Sequence, residues 1–154
     1  MSAVLGSTHS DDPLSGGAFR GKLAALLGYP GATNIEAELA NALPLRLGIS
    51  LLDNLLKEGL TSKELALVLP PRTLAHRRAK GQTLSPDESD RALRIARLVA
   101  LTESVFGDRE KALRWLRKPQ ARFFQRAAME MMASEIGGRL VEELLVQIDE
   151  GYAA

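Results

Sequence analysis

The chain has 154 residues, of which 45% are hydrophobic, 25% charged and 5% aromatic, a globular balance with room for one ordinary domain or two small helical ones. The absence of cysteine excludes disulfides, thiolate metal sites and cysteine nucleophiles, and is compatible with a reducing cytosol. The net charge of +1 hides an uneven distribution: five basic and seven acidic side chains in residues 1–71, fourteen and six in 72–126, one and six in 127–154, so that the middle suits phosphates and the end does not.

The opening segment, with Ser7, Asp11, Asp12, Pro13, Ser15, Gly16 and Gly17, offers little apolar surface to offset chain entropy, so residues 1–32 are expected to form a mobile tail. It lacks the basic start and apolar run of a secretory signal, and nowhere does the chain hold about 18 consecutive apolar residues. These features predict a soluble, cytoplasmic protein without a membrane partner. Within the tail, Phe19, Leu23, Leu26 and Leu27 allow one short helix before Gly28, Pro30 and Gly31. Thr33 and Glu36 have capping-box spacing, and Ile35, Leu39 and Ala42 share a face until Pro44 interrupts it. Leu51, Leu52, Leu55 and Leu56 then mark a helix ending at Gly59.

Thr61-Ser62-Lys63-Glu64 is a second capping box, opening a helix of about two turns that stops at Pro70-Pro71. Pro71 suits the first turn of a new helix running to Lys80, and Gly81 ends it. Ser85-Pro86-Asp87-Glu88 combines a cap, a first-turn proline and acidic residues facing the helix dipole. The long helix that follows carries Leu93, Ile95, Leu98, Val99, Leu101, Val105 and Phe106 over a wide arc, which predicts a spine buried on more than one side between two modules. Gly107 stops it and Asp108 caps a helix through Leu113, Trp115 and Leu116, with a break at Pro119. A last helical stretch carries Met129, Met132, Ile136, Leu140, Val141, Leu144, Leu145 and Ile148 before Gly151. The fold class predicted is all-α.

A short helix, a tight turn and a second helix is the order that places a recognition helix in the DNA major groove. The second helix here holds Arg72, Thr73, His76, Arg77, Arg78 and Lys80 and no acidic side chain. Arginine forks fit guanine edges and phosphates, and a threonine hydroxyl fits either. A merely solvated basic helix packed through Leu74 and Ala75 has the same composition, and the order of elements favours DNA.

Catalytic readings find no support in the pattern. His9 and His76 lie on unrelated segments, so no metal-ligand pair is expected. Glu142 and Glu143 are helix neighbours that point apart, and no phosphate-cradling glycine loop or activated-serine motif occurs. The sequence therefore predicts no catalytic residues, no cofactor, no metal and no enzyme. The Met129, Met131 and Met132 group and Trp115 are expected in the core. Tyr152, beyond the helix-ending Gly151, is open to two readings, an inert terminal residue or a partner contact.

The residues Gly59-Leu60, Glu64-Leu65, Arg72-Thr73-Leu74, Arg77-Arg78, Leu84-Ser85, Glu88-Ser89-Asp90-Arg91 and Arg94-Ile95-Ala96 resemble the Xre-like helix-turn-helix of the Xre/MbcA/ParS antitoxin family. Val105-Phe106-Gly107-Asp108, Lys111-Ala112, Trp115-Leu116, Pro119, Glu130-Met131, Glu135 and Ile148 resemble its C-terminal toxin-binding domain. The resemblance spans about residues 45–152 and implies a helix-turn-helix domain over 33–97 and a toxin-binding domain over 98–154, joined by the long helix. It further implies a homodimer that represses its own operon at operator DNA and neutralises an NAD-degrading RES-domain toxin, with its C-terminal end blocking the toxin's active site. Arg126, Asp149, Glu150, Gly151 and Tyr152 are the toxin-binding residues it points to. The rival reading is a stand-alone transcription or chromosome-positioning regulator without a toxin. After Pro119 the chain departs from the family's L-G-G-R-T-P pattern and reads Phe123-Phe124-Gln125-Arg126-Ala127-Ala128. Loss of the glycines and proline predicts helix in place of the turn and burial of both phenylalanines.

Overall fold

The computed structural model describes residue 13 and residues 16–31 and 34–151. Its elements are α1 (Gly17–Leu26), α2 (Ile35–Ala40), α3 (Ser50–Lys57), α4 (Ser62–Leu65), α5 (Pro71–Lys80), α6 (Pro86–Phe106), α7 (Arg109–Arg117), β1 (Pro119–Gln120), β2 (Arg126–Ala127), α8 (Ala128–Met131) and α9 (Glu135–Asp149). The fold is the expected helical one, and the two short strands pair antiparallel, Pro119 opposite Ala127 and Gln120 opposite Arg126.

Helix α6 is the axis of the molecule. Ser85 accepts from the Glu88 amide while the Glu88 carboxylate accepts from the Ser85 amide, Pro86 fills the first turn, and Gly107 ends the helix in the left-handed region. At 1.5 Å per residue its 21 residues extend roughly 31 Å. Ala92, Ile95, Ala96, Leu98, Val99, Ala100, Leu101 and Thr102 are all buried, because α1, α3, α7 and α9 pack around it. The wide apolar arc read in the sequence is thus satisfied by neighbours on several sides.

The N-terminal segment corrects the expectation of a mobile tail over 1–32. Among the described residues of that range, α1 buries Phe19, Leu23, Ala24 and Leu26 against α6, α2 and α3. The spacing of Phe19, Leu23, Leu26 and Leu27 places four apolar side chains on one helical face, and α6 supplies the surface that face needs. Asn54 of α3 donates through Nδ2 to the Leu26 carbonyl at 2.8 Å, which satisfies an acceptor at the end of α1. The cap of α2 is Asn34, whose side chain accepts from the Ala37 amide at 3.2 Å; Thr33, the expected cap, lies outside the described residues.

Leu47 is held to α6 and to the residue before its cap by hydrogen bonds. The Leu47 amide donates to Oγ of fully buried Ser89 at 2.9 Å, and the Leu84 amide donates to the Leu47 carbonyl at 2.9 Å. A buried hydroxyl in the helix interior is thereby paired. In the second module α7 buries Ala112, Leu113 and Leu116, and Trp115 packs on Phe106 with ring centroids 5.6 Å apart. Gly59 makes α7's approach possible: its φ is +110°, and a Cβ there would lie 2.7 Å from Leu113 Cδ1. Met129 and Met132 are buried, as are Val141, Leu144 and Leu145, whereas Ile136 is exposed to 76%. Met131 and Trp115 are half-buried against the same core.

The segment after Pro119 also differs from expectation. Instead of helix, the chain makes one 3-10 turn over Ala121–Phe123 and reverses through Phe124 and Gln125, both left-handed at φ +53° and +64°. The Gln125 amide donates to the Gln120 carbonyl at 2.9 Å, closing the hairpin without glycine. Phe123 is buried, but Phe124 is 91% exposed, so only one of the two phenylalanines entered the core.

Candidate nucleic-acid and partner interfaces

The Thr61–Glu64 capping box fixes the start of α4: Oγ1 accepts from the Glu64 amide at 3.2 Å and Glu64 Oε1 accepts from the Thr61 amide at 2.9 Å. After this single turn the chain continues in turns that bury Val68 and Leu69, and Arg91 Nε donates to the Val68 carbonyl at 2.8 Å. Pro71 then opens α5, and Gly81 at φ +63° closes it. No residue of α5 is buried, so the helix presents side chains rather than filling the core.

The six basic and polar residues expected to meet DNA fall into two groups. Arg72, His76 and Lys80 are exposed and Thr73 is half-exposed; these can reach a groove. Arg77 turns back into the protein, where Nη1 donates to the Thr83 carbonyl at 2.8 Å and the guanidinium meets both oxygens of Glu88, at 2.9 and 3.1 Å. That pair is largely enclosed, with side-chain exposures of 20% and 10%. Arg78 is on the surface and grips Asp53 with two nitrogens, at 2.5 and 3.2 Å. This fork raises the pKa of Arg78 and holds the Asp53 carboxyl below its ordinary value.

A second set of contacts binds the modules together. Arg117 of α7 donates to both Glu64 oxygens, at 2.8 and 3.2 Å, and to the Gly59 carbonyl at 2.8 Å. Burial raises the Glu64 carboxyl, but the bonds from Arg117 and the Thr61 amide outweigh it and leave the group below its ordinary value. Nearby, Glu103 of α6 pairs with Lys22 of α1, and Arg109 reaches Glu58 at 2.6 Å and Glu103 at 3.8 Å. Burial lowers the Lys22 pKa, partly opposed by Glu58.

The described residues among those expected at a protein partner lie on β2 and at the end of α9. Arg126 is exposed on β2, Asp149 is the last residue of α9, Glu150 is its C-cap, and Gly151 follows at φ +82°. Arg122 Nη1 donates to Gln147 Oε1 at 3.0 Å, which brings the hairpin beside the last turn of α9. Tyr152 lies outside the described residues. The last turn of α9 holds no basic residue, so Asp149 and Glu150 face the negative end of the helix dipole uncompensated within it. The hairpin tip was missed in the sequence, since two adjacent non-glycine residues in the left-handed region give no composition signal. Among the described residues no cluster of His, Cys, Asp and Glu could hold a metal ion, and no helix is long and apolar enough to cross a membrane.

Comparison with known proteins bears on both surfaces. Residues 35–97 match the antitoxin Xre-like helix-turn-helix domain, and residues 101–151 match the antitoxin Xre/MbcA/ParS C-terminal toxin-binding domain. An "Antitoxin Xre" of Pseudomonas putida KT2440 is 39% identical over 135 residues, 87% of this chain and 84% of the relative. The chain belongs to the Xre/MbcA/ParS antitoxin family. A second relative, "Antitoxin Xre" of Yersinia enterocolitica, is 29% identical over 84 residues, 54% of this chain and 57% of the relative. In this Xre-family chain the helix-turn-helix region contains α2 to α5 and the first half of α6, and the toxin-binding region begins within α6 itself.

Proposed function

We propose that the chain is the antitoxin of a RES-domain toxin that degrades NAD, that its C-terminal end blocks the toxin's active site, and that it represses its own operon by placing α5 on operator DNA. It acts in the cytoplasm as a homodimer and by binding alone, without chemistry of its own. Family membership supports the antitoxin role, and the observation that carries the blocking role is the end of α9. Acidic residues at a helix C-terminus oppose the dipole by about 0.3–1 kcal/mol each at a surface. The cationic groups that hold a dinucleotide's pyrophosphate would reverse that cost, and Tyr152 can place a ring and a hydroxyl where the nucleotide sits.

On the DNA side, Arg72, Thr73, His76 and Lys80 are the groups positioned to read or grip the duplex, with Arg78 available once it leaves Asp53. The test is co-expression with the neighbouring gene. Growth should stop with the neighbour alone and resume with the full chain. Removing residues 152–154 should weaken inhibition of NAD consumption while leaving operator binding and circular dichroism unchanged. Equal inhibition by full and shortened chains refutes the blocking role, and operator binding without any toxin rescue favours the stand-alone regulator.

A further inference from the structure

Phe124 is the most exposed large apolar side chain among the described residues, at 91%. It sits at the tip of the β1–β2 hairpin in a left-handed conformation, followed by Gln125 in the same region. Two successive non-glycine residues at positive φ are uncommon, and a bulky residue such as Phe124 is held there against its own backbone preference. The surrounding structure enforces it: Phe123 is anchored in the core, the Gln125 amide bonds the Gln120 carbonyl, and Arg122 is tied to Gln147 of α9. The ring is therefore displayed by a braced turn, with little backbone entropy left to lose on docking.

Charge around the tip defines what it can meet. Lys118, Arg122 and Arg126 are exposed beside the hairpin, while Asp149 and Glu150 lie past Gln147, the residue that holds Arg122. Aromatic residues and arginine are enriched at protein interfaces, and Phe124 shares its hairpin with the exposed Arg122 and Arg126. The acidic end of α9 repels nucleic acid from the same region, which favours a protein partner over DNA.

We infer that Phe124 is the anchor by which this chain holds its toxin: the ring enters an apolar pocket on the toxin whose rim is acidic and faces Lys118, Arg122 and Arg126. The inference rests on the toxin reading above and adds to it a second point of attachment, separate from the chain end. An anchor of this kind sets the dissociation rate, and the rim charges set the association rate.

The test uses the full chain and the purified toxin recovered from the co-expressed complex, with kinetics of binding followed at low and moderate salt. Phe124→Ala should weaken binding by at least about 30-fold, mostly through faster dissociation, while Phe124→Trp retains most of it. Lys118→Glu should slow association and reduce its salt dependence. Circular dichroism and operator binding should be unchanged in all three, since no buried contact is lost. Phe124→Gly removes the ring and relaxes the turn, so it should bind as weakly as the alanine variant while unfolding no more easily than the natural chain. Equal toxin binding by natural and Phe124→Ala chains overturns the anchor. Failure of the natural chain to bind the toxin at all instead overturns the toxin reading on which it rests. Loss of duplex affinity in Phe124→Ala with toxin affinity intact also overturns the anchor and reassigns the tip to nucleic acid.

Discussion

Replacing Arg77 with alanine should unfold the protein more easily rather than simply weaken DNA binding. In the folded chain the guanidinium makes three short contacts, to the Thr83 carbonyl and to both oxygens of Glu88. Glu88 is 7% exposed and also completes the cap of α6 by accepting from the Ser85 amide at 2.8 Å. Truncation leaves that carboxylate enclosed with one hydrogen bond and no counter-charge. Breaking a buried ion pair costs about 3–5 kcal/mol; because Arg77 retains some exposure, the lower end applies, about 3 kcal/mol. For a chain of this length each kcal/mol lowers Tm by about 2–4 °C, so a fall of roughly 6–12 °C is expected.

Urea denaturation followed by circular dichroism measures the loss, and Arg77→Ala/Glu88→Gln should recover part of it, because the uncompensated charge is gone. Arg72→Ala, at an exposed position of the same helix, should leave stability within about 0.5 kcal/mol and act on operator affinity alone. If Arg77→Ala proves as stable as the natural chain yet loses the operator, the reasoning is refuted and Arg77 is a DNA contact that leaves Glu88.

Asp53→Asn should cost at most about 1 kcal/mol, since the pair with Arg78 is exposed, and should free Arg78, steepening the salt dependence of operator binding by about one phosphate contact in a filter-binding series; weaker operator binding contradicts this. The Glu64 carboxyl sits below its ordinary value of 4.5, so its contribution to stability is present above that pH and fades as pH falls through the lower folded value. The difference in urea midpoint between the natural chain and Arg117→Met should therefore shrink as pH is lowered past about 4.5, and a difference constant with pH removes Glu64 as the partner that matters. Gly137→Ala should be far more damaging than Gly138→Ala: the first Cβ would collide with the Met131 backbone oxygen, whereas the second would lie 2.7 Å from the movable Cδ of Arg94. Overpacking should cost Gly137→Ala about 2–3 kcal/mol, whereas the helix propensity of alanine offsets the strain in Gly138→Ala; equal Tm values for the two variants are the contrary result.

The elements with strong local chemistry were legible without a structure. The Thr61–Glu64 and Ser85–Glu88 capping boxes, the Pro71 start, the Gly81 and Gly107 stops and the length of α6 follow from interactions within a few residues of chain. Packing partners were not legible, because the apolar face of α1 looks too short to fold until α6 is set beside it. The same holds for the basic helix. Composition counts Arg77 and Arg78 with Arg72 and Lys80, but Glu88 lies eleven residues away and Asp53 twenty-five, and only the fold decides which cations are already occupied. At the hairpin the error was of another kind: absence of glycine was read as absence of a turn, whereas Phe123 burial and the Gln120–Gln125 bond hold the turn in spite of its residues.

The two family-defined regions share structure that neither owns. Glu64 completes the capping box of α4 inside the helix-turn-helix through Oε1 and, through Oε1 and Oε2, receives Arg117 from the toxin-binding region. Gly59 gives its carbonyl to Arg117 and its missing Cβ to Leu113. Lys22, Glu58, Glu103 and Arg109 form a further chain of ion pairs that joins α1, the end of α3, α6 and α7. Each charge in that chain loses hydration on burial, so removing the α7 side leaves Glu58 and Glu103 short of a cation in a partly enclosed site. The helix-turn-helix cut out at residue 97 would lose Arg117, Arg109 and the second half of α6 together. Helix α4 would keep its cap but not the cation that holds the cap's carboxylate in place. Helix α5, which has no buried residue of its own, is tied to α6 by the Arg77–Glu88 pair and to α3 by the Arg78–Asp53 pair.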